Sequence, residues 1–386
     1  MFGKTLAKFF VLMATAQAAC SVVPSSVTGS PAPLSTTFVV PTTSPTATPE
    51  LEPIQFIPGE DPPTPAQGPL LPNVKGIRLG SSYSFSHATW LCGGDFDCAR
   101  RMLEDIACGL HVDSLRLMAP WDWLQDDSSA SLKTDFNTDW QLATAKRCGV
   151  ANVTMAIGVK TPHSPEFKIP GWAKTLSVER FKEALINYSR RFVEHYANDG
   201  RITVWQVENE PLRSGSSFGG EYPFDVKDFY RQEVQIVRTA DTLKRPIIGT
   251  DSGDVGSWGE IATFVDRVGA TYYRKSCGDG KSYFDHMERN GSPELWAERA
   301  EALKPKFVSL IELQWEPWPC GGSSKDATPE ENEKSMNPQL ALDNLNFVIR
   351  AGFADIDLWG LEWCLLEKKR SRLQMWELTQ EIFAQR

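Results

Sequence analysis

The chain has 386 residues, with 40 Lys and Arg against 49 Asp and Glu, a formal net charge of −9. That balance excludes a nucleic-acid or anionic-membrane surface, which needs a basic patch, and the length supports a core that folds without a metal or disulfide staple. Thirteen tryptophans and twenty phenylalanines stand out; they suit either a heavy core or a site for flat, hydroxyl-rich ligands.

Residues 1–19 read as an export signal. Lys4 and Lys8 precede an apolar run from Phe9 to Ala16, and small residues follow. Cleavage after Ala18 would release a soluble protein. Ala18-Ala19-Cys20 also resembles a lipoprotein signal end, which would leave Cys20 as a lipid anchor on the cell envelope. Residues 20–73 read as a disordered linker rich in Pro, Ser and Thr. Positions 21–73 hold 13 of the 26 prolines and no Lys or Arg, too little apolar surface to offset the entropy of ordering.

Residues 74–386 carry the folded part, expected to be a monomer. Short β-branched runs alternate there with helical patterns. The strands are Ile77–Leu79, Ser114–Met118, Asn152–Ile157, Thr203–Val207, Pro246–Thr250, Ala270–Tyr273, Phe307–Ile311 and Asp355–Trp359. Helices are expected over Cys98–Ala107, Trp140–Cys148, Val178–Tyr196, Asp225–Ala240, Pro293–Leu303, Pro338–Arg350 and Leu373–Ala384. In Val178–Tyr196, Phe181, Leu185, Tyr188 and Phe192 share one face. Eight strands at about 39 residues per unit fit an α/β fold of the (β/α)8 TIM-barrel type. A doubly wound sheet is disfavoured because no G-x-G-x-x-G follows the first strand. Seven cysteines lie in this part, an odd number that leaves a thiol unpaired; most read as buried thiols, with Cys277–Cys320 the pair best placed for a disulfide. No C-x-x-C or H-E-x-x-H occurs, so neither a metal nor another cofactor is expected.

In such barrels the reacting groups sit at the carboxyl ends of the strands. The fourth strand runs into Trp205-Gln206-Val207-Glu208-Asn209-Glu210-Pro211, the seventh into Glu312-Leu313-Gln314-Trp315-Glu316. Arg116 and Trp121 belong to the second, His163 follows the third, Tyr272-Tyr273 the sixth and Trp359 the eighth. Carboxylates from strands four and seven face one another across the mouth, and a separation near ~5 Å is the spacing of a retaining glycosidase. Glu208 rivals Glu210, and Glu316 rivals Glu312. Arg116 alternates with Leu115 and Leu117 and so points to the opposite face, as a site group or as a structural ion pair.

Trp-x-x-x-Asn-Glu-Pro after strand four, Glu after strand seven, Arg on strand two and Trp after strand eight together resemble glycoside hydrolase clan A, closest to the cellulase-like family 5 type. The resemblance spans the chain from about residue 75. It implies Glu210 as general acid/base and Glu312 as nucleophile. It also implies Asn209 on the sugar 2-hydroxyl, Arg116 and Tyr273 (or Tyr272) holding Glu312, and Trp359 as the floor beneath the sugar. Trp90, Trp121, Trp123, Trp258, Trp315, Trp318, Trp359 and Trp363 all fall near strand ends and read as an aromatic cleft for several sugar units, with His163, His87 and Glu316 lining it. The expected ligand is a β-linked oligo- or polysaccharide, cut by an exported enzyme. The competing readings are a carbohydrate-binding barrel without turnover and a barrel using Lys160 as a base.

Overall fold

The computed structural model describes residues 71–163, 165–213, 222–278 and 280–386. Residues 1–70, which include the stretch expected to be an export signal, Cys20 and nearly all of the expected linker, lie outside the described residues.

Eight parallel strands form a closed barrel: β1 Arg78–Tyr83, β2 Ser114–Met118, β3 Asn152–Ile157, β4 Val204–Val207, β5 Ile247–Ser252, β6 Arg267–Tyr272, β7 Phe307–Gln314 and β8 Asp355–Trp359. Each pairs with its neighbours in sequence order, and β8 closes on β1 through Arg78–Asp355 to Ser81–Leu358. The helices packed outside include α1 Phe85–Leu91, α2 Phe96–Ala107, α3 Trp140–Arg147, α4 Val178–His195 and α5 Val226–Ala240. They continue with α6 Pro293–Glu301, α7 Pro338–Arg350, α8 Leu361–Lys369 and α9 Gln374–Phe383. Ser177 caps α4, and Asp225 caps α5 by accepting from the Lys227 amide at 3.0 Å; each satisfies a first-turn N–H that the helix itself leaves unpaired. Two helices, α1 and α8, escape a periodicity reading. In α8 Leu361 through Glu367 are all buried, so no polar face breaks the pattern.

Strand parity builds the interior. On β2, Leu115 and Leu117 point outward into the main core while Ser114, Arg116 and Met118 point inward. The inner floor is polar: Arg78 pairs with Asp355, and Ser114 Oγ donates to Asp357 at 2.6 Å. Above it Val204, Ile248 and Ile311 form an apolar layer. Met118, Ala156 and Trp359 pack with Tyr273 at the top.

One irregularity matters for the site. Ala270 pairs with Leu310, but the next residue, Thr271, pairs with Glu312. On the other edge of β7 the register also slips, between Ile356–Leu310 and Leu358–Leu313. A β-bulge therefore inserts one extra residue, and bulges re-aim side chains. Ile311 and Glu312 are consecutive, yet both face the interior. The strand itself extends to Gln314, so Glu312 sits within β7 rather than beyond its end.

The cysteine expectation needs correction. Cys92–Cys98, Cys108–Cys148 and Cys277–Cys320 are disulfides, and Cys364 alone among these seven is an unbridged, buried thiol. Cys108 and Cys148 cap the ends of adjacent α2 and α3, which brings residues distant in sequence together. Replacing both by Ser should lower unfolding stability by about 2–4 kcal/mol, since the bridge restricts the unfolded chain. Urea denaturation of the double variant against the parent, both oxidised, measures this.

Candidate active site

Arg116 is wholly buried at the centre of the barrel, where its guanidinium ties four strands together. Nε donates to Gln206 Oε1 at 2.7 Å and Nη2 to Asn209 Oδ1 at 2.9 Å. Nη1 donates to Glu312 Oε1 at 2.5 Å and reaches Ser82 Oγ at 3.5 Å. The other Glu312 oxygen accepts from the Tyr273 hydroxyl at 2.7 Å. Burial and the Glu312 charge push the Tyr273 phenol well above its usual range, so it remains a donor. Of the tyrosine pair, Tyr272 takes the opposite parity and packs outward against Phe347 and Trp296. Asn209 Oδ1 also accepts from Thr250 Oγ1 at 3.1 Å. With its oxygen taken, the amide NH2 is the group left to donate to a ligand.

Glu210 enters from the loop after β4. Its Oε1 accepts from Thr271 Oγ1 at 2.9 Å, and Arg213 Nε lies 3.8 Å from Oε2. Thr271 is the register partner of Glu312, so one hydroxyl ties the Glu210 carboxyl to the strand pair that carries Glu312. Burial, assisted by the charge of Glu312, raises the Glu210 pKa against the opposing pull of Arg213 and Lys160. The loop is strained. Glu208 and Glu210 both adopt positive φ, 57° and 42°, conformations that non-glycine residues hold only when their surroundings enforce them.

Those surroundings are visible. Glu208 turns back to β3 and accepts from the Val159 and Lys160 amides, 2.9 and 2.6 Å, and from the Tyr222 hydroxyl at 2.9 Å. A Cβ at Gly158 would lie 2.5 Å from that carboxyl, so only glycine permits the clamp. Lys160 Nζ donates to the carbonyls of Glu210 and Arg213 at 3.0 and 3.3 Å and pairs with Glu166 at 3.2 Å. Glu208 and Lys160 thus hold the loop. Glu166, Thr271, Thr250, Gln206 and Ser82 carry no local motif, and sequence reasoning misses their part in the site. Burial, with the charges of Glu210 and Glu312, pushes Glu166 up to about 7.

A second group converges beside this centre. His163, at φ 76°, stacks on Trp359 at 4.0 Å and on His87 at 3.9 Å. Burial first, and then the neighbouring His87, Lys168 and Arg116, hold His163 well below its usual pKa. His87 Nε2 lies 3.7 Å from Glu316 Oε2. Glu316 is wedged against Gly360, where a Cβ would come within 2.3 Å of the Glu316 Cβ. The Trp359 face assigned to a sugar by resemblance is covered by the His163 ring in this structure. Glu362 accepts from the Ser84 amide at 2.8 Å, and burial raises it to about 7.

The tryptophan reading is corrected for half of its members. Trp121 is fully buried behind the barrel against Trp172, Phe181 and Tyr188, with Nε1 on Gln125. Trp315 is equally buried and donates to Thr379 of α9 at 2.9 Å. Trp258 and Trp363 also belong to the main core. The reason is parity: these residues follow strands but turn outward into the helix layer. Trp359 is at the mouth, Trp318 lies 5.0 Å from Tyr273, and Trp90 is exposed.

No protein-family model matches the chain, and no curated protein matches it. Solved structures do resemble it. GH5_18 from Streptomyces cattleya in complex with GlcNAc has a TM-score of 0.55 at 14% identity, covering 80% of this chain and 79% of that one. A Glu-to-Ala variant of GH5_18 from Bifidobacterium longum subsp. longum ATCC 55813, in complex with Manb1-4GlcNAc, has a TM-score of 0.54 at 14% identity, covering 80% and 78%. The chain is a (β/α)8 barrel. At that identity the likeness carries the fold.

Removing one partner of a buried ion pair costs about 3–5 kcal/mol because the other charge is stranded, whereas replacing both by apolar groups is often neutral. Arg116→Met should therefore destabilise strongly, and Arg116→Met/Glu312→Leu should recover much of the loss in denaturant titrations. The raised carboxyls set a pH dependence of opposite sign to ordinary ion pairs. Glu166, Glu208, Glu362 and Asp357 at about 7 and Asp251 at about 6 bind protons more tightly folded than unfolded. Their contribution is complete below about pH 4 and disappears as the pH rises through about 7. Melting temperature should fall between about pH 5 and 8, and Glu362→Gln should flatten part of that slope.

Proposed function

We propose that the chain is an exported retaining glycoside hydrolase that cleaves a β-linked polysaccharide of the β-glucan or β-mannan type, in endo fashion, by double displacement. The observation that carries this reading is the asymmetry between two buried carboxyls. Glu312 lies in charge-assisted contact with Arg116 and bonded to Tyr273, while Glu210 is raised by burial and by the charge of Glu312. A carboxyl raised by burial facing one held against a guanidinium supplies an acid and a nucleophile.

In the first step a Glu312 oxygen bonds to the anomeric carbon, the glycosidic C–O bond breaks, and the Glu210 proton passes to the leaving oxygen. Esterification removes the Glu312 charge, so the electrostatic contribution raising Glu210 vanishes and Glu210 becomes the better base. It then takes a proton from water, whose oxygen attacks the anomeric carbon and releases Glu312. The Asn209 amide NH2, fixed by the donors that occupy its Oδ1, is positioned to grip the sugar 2-hydroxyl as positive charge develops at the ring. Three disulfides support an oxidising compartment, in keeping with an export signal over residues 1–19. The solved structures of similar fold, one in complex with Manb1-4GlcNAc, support a β-linked saccharide as the ligand. Endo action rests on the aromatics that remain at the rim, Trp90 and Trp318.

Glu312→Ala should lose more than about 10³-fold in rate on soluble β-glucan or β-mannan, with partial rescue by azide, because the covalent route is gone. An active Glu312→Ala beside an inactive Glu316→Ala would overturn the assignment. Proton NMR of the first product should show retained anomeric configuration. Ligand binding with no turnover across a broad panel would instead identify a carbohydrate-binding barrel.

A further inference from the structure

His87 on α1, His163 after β3 and Glu316 after β7 bring their free side-chain atoms to one point. His87 Nε2, His163 Nε2 and Glu316 Oε2 are each buried from solvent with no hydrogen-bond partner. Ligand atoms of the three residues lie within 4.8 Å of one another. Among the described residues this is the one place where three such groups converge. A buried polar atom without a partner is costly to keep, and here three sit side by side on separate elements. The backbone accepts strain to keep them there: His163 holds φ 76°, and Gly360 is a glycine against which Glu316 is pressed.

We infer that His87, His163 and Glu316 form a binding site for a zinc-class divalent transition-metal ion. Two imidazole nitrogens and one carboxylate oxygen make a borderline-soft donor set, which suits zinc better than calcium or magnesium. Three protein ligands leave a fourth position open to water or a substrate hydroxyl, the arrangement of reactive rather than purely structural zinc sites. Ligands around a tetrahedral zinc at about 2.0–2.1 Å stand roughly 3.3–3.5 Å apart, so the cluster has to contract slightly. Because the two imidazoles are parallel to within 10°, one ring also has to turn for both lone pairs to meet the ion. Turning His163 lifts it from the Trp359 indole, 4.0 Å away, and links ion loading to exposure of that ring. No spacing motif announces the site, since its members come from three distant parts of the chain.

The test uses the untagged full-length chain, stripped with chelator and titrated with Zn²⁺, with Co²⁺ as the spectroscopic probe. One zinc per chain should survive gel filtration, and Co²⁺ should give the visible absorption of a low-coordinate nitrogen–oxygen site. Tryptophan fluorescence should change on loading, and the change should be absent in Trp359→Phe. His87→Gln and Glu316→Gln should each weaken zinc binding at least about tenfold, while His111→Gln, an exposed histidine outside the cluster, should not. Thermal melts establish that each variant is folded, and the two ligand variants lie on different elements, so one suffices. Substoichiometric zinc in the parent chain, or stoichiometric zinc that persists in both folded ligand variants, would overturn the inference. None of these readouts depends on sugar hydrolysis, so the hydrolase reading and the metal site stand or fall separately.

Discussion

A single guanidinium organises the interior of this barrel. Arg116 carries a full charge in a place with no solvent, and it is tolerated only because Glu312, Gln206, Asn209 and Ser82 each meet one of its N–H vectors. Arginine is suited to this because its planar fork offers several donors in fixed directions, which a lysine could not match. The converse also holds. Glu312 is buried nearly as deeply, and its carboxyl has the guanidinium as its partner. The rotamers of strands one, two, four and seven are therefore mutually determined at one level of the barrel. Everything above that level, including the position of Glu210 relative to Glu312, is built on it.

The strained loop after β4 shows how the surrounding structure sustains an unfavourable backbone. Two odd conformations, at Glu208 and Glu210, are offset by amide and hydroxyl donors to Glu208 and by the Lys160 ammonium on the loop carbonyls. The same region concentrates carboxyls that burial keeps from ionising easily, among them Glu166 and Asp251. Active sites are where such groups accumulate, since poised protons are what acid–base chemistry uses. The cost falls on stability near neutral pH.

Much of this was legible beforehand, and the reasons are specific. Barrel strands advertise themselves as short buried runs, and Ser114–Met118, Asn152–Ile157 and Asp355–Trp359 are read to the residue. Alternation set Arg116 on the face opposite its two leucine neighbours. What failed were inferences that needed three dimensions. Trp121 and Trp315 lie close in sequence to the mouth, but a residue leaving a strand can turn to either side, and theirs is the helix side. The disulfides Cys92–Cys98 and Cys108–Cys148 depend on how α1, α2 and α3 pack, which spacing does not encode. Thr271 and Gln206 are ordinary strand residues whose role comes only from their partners. The helix α8 was hidden by its own burial.

The extra residue at Ile311 has a consequence for how this scaffold tolerates change. Because the side-chain period of a strand is two, the last third of β7 is out of phase with its first third. Excising a single amino acid there would restore an ideal ladder and leave the barrel closed. The carboxyl would stay in the lumen, because Ala270–Leu310 and Thr271–Glu312 would simply become consecutive pairs, and the loss would be the Ile311 side chain from the apolar layer it shares with Val204 and Ile248. A chain shortened there would keep its lumenal acid on a thinner apolar layer, so the added residue serves to fill the space under the carboxyl rather than to aim it.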